Sequence, residues 1–146
     1  MRLTEHFALE ELTFSSTALR LGIDNTPGPE IVNHLLIAAT GMEHVRKLLG
    51  GIPIHVDSGY RCLELNSAIH GASHSAHMNG YAVDFICPKF GTPLLIVQAI
   101  VSSDIKFDQC IQEGRWVHIS FDPKLRREVL TATFTKDGPI YTQGVE

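Results

Sequence analysis

From Ile31 onward, apolar residues recur at three- and four-residue steps through Leu35, Ala38, Met42, Val45 and Leu49, the period of one helix face. Pro29 suits the first turn of that helix, and Gly50-Gly51 supplies its stop. Upstream, Phe7 to Leu12 reads as a short helical turn, closed off by the breaker cluster Asn25-Thr26-Pro27-Gly28-Pro29. Beyond the paired glycines the pattern changes. Ile52 to Val56 reads as a short strand entering a Ser58-Gly59-Tyr60 turn, and Cys62 to Ile69 as a second helix stopped at Gly71. Two β-rich runs follow, Tyr81 to Ile86 and Arg115 to Phe121, with a segment of helical composition, Thr92 to Ser102, between them. Val129 to Phe134 and Ile140-Tyr141 suggest a last hairpin around Asp137-Gly138. The expected architecture is α+β: one domain over residues 1–146, a small antiparallel sheet with helices packed around it.

Composition narrows the function classes. A chain of 146 residues with 44% hydrophobic and 19% charged positions can bury a real core, which argues against disorder. The net charge is −4 and Lys and Arg form no run or stripe, so nucleic acid is not an expected partner. The most apolar stretch, Leu94 to Val101, is too short to span a bilayer, and membrane insertion is not expected. Met1 to His6 meets acidic Glu5 before any apolar stretch, unlike a secretory signal, so synthesis in the cytoplasm is expected. Cys62, Cys87 and Cys110 are odd in number and widely spaced, which suits inert free thiols. A monomer is the expected state.

The informative stretch is Ser75 to Asp84, where a histidine is followed by a glycine turn and then by an aspartate inside an apolar strand. Burying an unpaired carboxylate costs several kcal/mol or neutralises it, and a divalent cation removes that difficulty. Gly80 lets the chain reverse so that His77 and Asp84 face one point. Strand alternation then puts Gly80, Ala82 and Asp84 on one face, with Tyr81, Val83 and Phe85 on the other. His118, on the Trp116 to Ser120 strand, is the candidate third ligand. Two imidazoles and one carboxylate leave the fourth position of a tetrahedral ion free for water, the arrangement of catalytic zinc and not of structural zinc. His70, His74 and His77 also fall at helical spacing as a rival cluster, against which Gly71 and the surrounding serines speak.

The pattern Ser-x-His-x-x-Gly-x-Ala-x-Asp over Ser75 to Asp84, followed by Trp116-Val117-His118, resembles the zinc D-alanyl-D-alanine carboxypeptidase and L-alanyl-D-glutamate endopeptidase superfamily, which shares its fold with the hedgehog signalling domain. Ser58-Gly59-Tyr60-Arg61-Cys62 is similar to that group's Ser-Gly-Tyr-Arg element, and Phe7 to Leu12 with Asn25-Thr26-Pro27 to its small phage and prophage branch. The resemblance covers roughly the first 121 residues.

What the resemblance implies is one Zn2+ held by His77, Asp84 and His118, with a zinc-activated water cutting an amide bond in peptidoglycan stem peptides. Arg61 would stabilise the oxyanion, Ser75 would line the substrate cleft, Tyr60 would support Arg61 beside substrate, and Trp116 would wall the site. Many relatives carry a general-base glutamate three residues before the last histidine, and here that position is Arg115. Glu113 is the candidate base instead. Five residues from His118 is an odd offset, so on one regular strand Glu113 would point away, and a bulge at Gly114 is the expected remedy. Action on the wall would follow phage-type release or carriage in a virion. The alternative is a catalytically silent metal-binding module of the same fold, serving virion structure or wall binding.

Overall fold

The amino-terminal third of the chain is helical. The computed structural model, which describes residues 1–145, places short helices α1 (Leu9–Thr13) and α2 (Ser16–Leu21) ahead of the long α3 (Pro29–Leu48). Helix α3 starts at Pro29 as its spacing predicts, and Leu35, Ala38, Ala39, Met42 and Val45 form its buried stripe. Gly50 and Gly51 take φ of +90° and +74°, the left-handed backbone that ends a helix at little steric cost. Helix α2 was not foreseen. It is capped by the Ser15 side chain, which accepts from the Ala18 amide.

The remaining elements are β1 (His55–Ser58), α4 (Leu63–Ala68), β2 (Ala82–Ile86), α5 (Pro93–Val101), β3 (Gln109–Gln112), β4 (Val117–Ser120), β5 (Glu128–Thr135) and β6 (Gly138–Gln143). The six strands form one sheet in the order β1-β2-β4-β3-β5-β6. Its neighbours pair antiparallel except β3 and β5, which run parallel. The fold is thus α+β as expected, with a sheet that is mixed at one pair. Strand β3 was missed because its Gln-Cys-Ile-Gln sequence lacks a clear alternation.

Pairing register decides what each face does. Val83, Phe85, Val117, Ile119 and Cys110 share the face that packs on α3 and α5, and all are buried. The opposite face carries Asp84, His118 and Ile111 in one row, with Leu130 continuing it across the parallel pair. A bidentate ion pair anchors the start of β5: Arg126 donates from Nε to Asp108 Oδ1 at 2.9 Å and from Nη2 to Oδ2 at 3.0 Å. Beside it, Arg127 donates to the Ser103 carbonyl at 2.7 Å and lies over the Phe107 ring. The three cysteines are free, with Cys87 and Cys110 buried, and burial pushes the Cys110 thiol up to about 12.

Gly41, inside α3, has a packing reason. A Cβ there would fall 2.4 Å from the ring of Phe121, the residue that follows β4. Replacing Gly41 with valine should therefore lower stability by about 1–3 kcal/mol in spite of improved helix propensity, read as a reduced urea midpoint at unchanged slope.

Candidate metal centre and cleft

His77 reaches the sheet from a loop held by backbone contacts. Gly59 passes so close to α1 that a Cβ would lie 2.3 Å from the Leu12 carbonyl oxygen, and the Tyr60 amide donates to that oxygen at 2.7 Å. Asn25 ties down the next residues, donating to the Tyr60 carbonyl at 2.9 Å and accepting from the Cys62 amide at 2.8 Å. The Arg61 amide donates to the His77 carbonyl at 3.1 Å, joining this turn to the His77 loop. Gly80 closes the loop at φ +79°, seated against Ile31 and His34 of α3. His34 also faces the Asn79 carbonyl at 2.7 Å and stacks on Tyr81.

His77 is 2% exposed, and its ring orientation is fixed. Nδ1 lies 2.7 Å from the Gly59 carbonyl, which can only accept, so Nδ1 carries the proton and donates. Nε2 then faces Asp84 Oδ1 at 3.1 Å. From the adjacent strand, His118 presents Nδ1 to the same oxygen at 2.9 Å, since Asp84 and His118 are directly opposed across β2 and β4.

This arrangement fits a cation. A neutral His77 turns an Nε2 lone pair toward a carboxylate oxygen, a repulsive contact unless something positive lies between them. Burial pushes the His77 imidazole below its ordinary pKa, against the pull of Asp84, and so favours that neutral ring. At Asp84, burial opposes ionisation, while positive charge where His77 and His118 face it holds the carboxyl well below the usual carboxylate range, a charge that a cation between the three groups supplies when His77 is neutral. The three ligand atoms lie within 4.8 Å of one another. Tetrahedral zinc with bonds of about 2.0–2.2 Å needs ligand atoms separated by roughly 3.3 Å, a small relaxation from the spacing found. This is the one such cluster among the described residues. The rival histidine cluster does not form: His70 takes φ +58° and ends the helical path, while His70 and His74 line the cleft.

The cleft above the triad has a volume of about 660 Å³ and exposes Asp84 and His118 along its floor. Arg61, Ser75, Glu113 and Trp116 all line it. Arg61 donates from Nη2 to the Ser75 hydroxyl at 3.2 Å, while its buried Nε has no protein acceptor. Burial lowers the Arg61 pKa and Asp84 pulls it back up. Tyr60, expected beside substrate, is not a lining residue. Its ring packs against the hydrophobic core, where it steadies the turn that presents Arg61.

Glu113 reaches the cleft by a route other than the expected bulge. It follows β3, and its amide donates to the Trp116 carbonyl at 3.0 Å across the turn into β4. Gly114, at φ +85°, allows that tight reversal. Because Ile111 opposes His118, Glu113 two residues later lies on the same face as His118. An odd offset along one strand is thus irrelevant to residues on two strands. Glu113 is 8% exposed, and burial raises its pKa above the ordinary glutamate value, with Asp84 adding to the rise and His118 opposing it.

Two further lining residues, Phe134 and Tyr141, come from the β5–β6 hairpin. The hairpin itself is legible in the sequence, but its place beside the cleft depends on the parallel β3–β5 pairing, which leaves no local signal.

A two-histidine, one-aspartate triad on the floor of an open cleft defines a metallohydrolase-type centre. The family model described as Peptidase M15 matches residues 5–120. The chain belongs to this zinc-peptidase family and is a metal-dependent peptidase. No curated protein matches it.

Replacing His118 with alanine should reduce bound metal from one equivalent to a small fraction, measured by elemental analysis after gel filtration. Treating the unmodified protein with a chelator should lower its melting temperature and abolish peptidase activity, and one equivalent of zinc should restore both.

Proposed function

We propose that the chain hydrolyses an amide bond in bacterial peptidoglycan stem peptides, as a D,D-carboxypeptidase or an L,D-endopeptidase, with Zn2+ as its ion. Family membership supports the peptidase class, and the nitrogen and oxygen donors suit zinc. Bound at His77, Asp84 and His118, zinc supplies Lewis acidity that polarises a carbonyl and makes water acidic near neutral pH.

The chain's own residues supply the rest. Glu113 lines the same cleft as the triad, and its buried carboxylate is placed to take a proton from attacking water and return it to the departing amine. Burial raises its pKa, which makes the ionised carboxylate a stronger base for that proton. The Arg61 guanidinium offers donors to the oxygen of the scissile carbonyl as negative charge develops there, and Ser75 orients it. Trp116 walls the cleft beside Glu113. The single observation that carries turnover over a silent metal-binding module is Glu113, which is buried in the cleft and facing the triad's side of the sheet.

Glu113→Gln should keep its metal while losing about 10²–10⁴-fold in kcat, measured by release of fragments from a stem pentapeptide. In the unmodified enzyme the base works only when ionised, so kcat/KM should fall as the pH drops through the raised Glu113 pKa, above the ordinary 4.5. Metal retention without cleavage by the unmodified protein, across several wall chemistries, would favour the silent module.

A further inference from the structure

The register of the sheet aligns a second row of side chains beside the catalytic one. Glu113 stands opposite Trp116, and one step beyond the Gln112–Thr131 pair it comes level with Ala132, which opposes Tyr141. Trp116, Glu113, Ala132 and Tyr141 therefore cross the cleft face in line. Ala132, small and buried, leaves the space between Glu113 and Tyr141 open. Phe134, one side-chain step further along β5, tilts against Trp116 at 6.2 Å between centroids and rests over Gly114.

Phe134 is 54% and Tyr141 48% exposed, though both line the cleft. Neither ring is spent on the core. The cleft's other charged lining residues, Arg61, Asp84, Asp108, Asp122, Lys124 and Arg126, come from other elements, and the hairpin side offers aromatic rings beside the Glu113 carboxyl. A wall of three rings exceeds what an alanine methyl would need. Aromatic faces beside a carboxyl, with no cationic lining side chain among them, suit an alkyl chain that ends in an ammonium group.

Resting on the peptidase reading above, we propose that Trp116, Phe134 and Tyr141 form a specificity subsite for the long side chain of the diamino residue in the stem peptide. Its methylenes lie along the rings and its ammonium sits over their faces. Phe134 and Tyr141 fall outside the stretch matched by the family model, so two of the three rings come from the C-terminal hairpin.

The test compares three stem pentapeptides, carrying lysine, Nε-acetyl-lysine or norleucine at the diamino position, against the zinc-loaded full chain. The lysine peptide should show a KM about tenfold lower than the other two. Phe134→Leu and Tyr141→Leu, which keep apolar bulk without a π face, should each erase most of that preference by raising KM for the lysine peptide, with metal content unchanged. Tyr141→Phe should retain it. Trp116 is the sole tryptophan, so its fluorescence, recorded before appreciable turnover, reports occupancy directly. Equal KM for the three peptides, or variants that discriminate as well as the unmodified protein, overturns the subsite while cleavage upholds the peptidase reading. Lysine-selective fluorescence quenching without cleavage does the reverse. Selectivity lost only on peptides still joined to their disaccharide would assign the wall to sugar and overturn the proposal.

Discussion

Asp84 is a carboxylate placed in the middle of a sheet, opposite one histidine and beneath another, and the surrounding structure is organised around keeping it ionised there. Burial alone would drive it to its neutral form. Positive charge at the point where two imidazoles face the same oxygen reverses that preference, and one of those rings cannot turn away because its other nitrogen is committed to the Gly59 carbonyl. The result is a set of donors arranged before any ion arrives, which lowers the cost of ordering them on binding.

That preorganisation reaches back to the amino-terminal helices. Gly59 can present its carbonyl to His77 only because the chain there lies against the backbone of Leu12, a contact that no side chain at residue 59 would permit. Asn25 and the Arg61 amide extend the same backbone network to both sides of the metal loop. The short elements before α3 thus serve the chemistry at a distance, by fixing a carbonyl and not by touching substrate.

The cleft has two constructions. Its floor, the Arg61 side and Trp116 are built from the segment that the family shares, whereas Phe134 and Tyr141 are contributed by a hairpin added through a parallel strand pair. A two-stranded ribbon is weak on its own. Here it is tethered at its base by the Asp108–Arg126 pair and the Arg127 contacts, which leaves its far end free to meet a ligand.

Much of this was legible in the sequence. The three- and four-residue spacing from Ile31 to Leu49 marks α3, and the His77, Gly80, Asp84 and His118 pattern marks the metal donors, because periodicity and burial of a charged group are local properties of a chain. Glu113 was legible as a residue but not as a geometry: an expected bulge proved to be a hairpin, since strand β3 has no alternation to reveal it. Tyr60 was read as a support for Arg61 beside substrate, and its ring packs on the core and not along the cleft, because adjacency to Arg61 in sequence does not fix which way a ring turns. Trp116 was legible as a wall of the site, whereas the Phe134 and Tyr141 part of that wall was decided by tertiary structure alone. Which strands become neighbours depends on contacts between residues far apart in the chain, and the parallel pairing that brings Phe134 and Tyr141 to the cleft is written in no single segment.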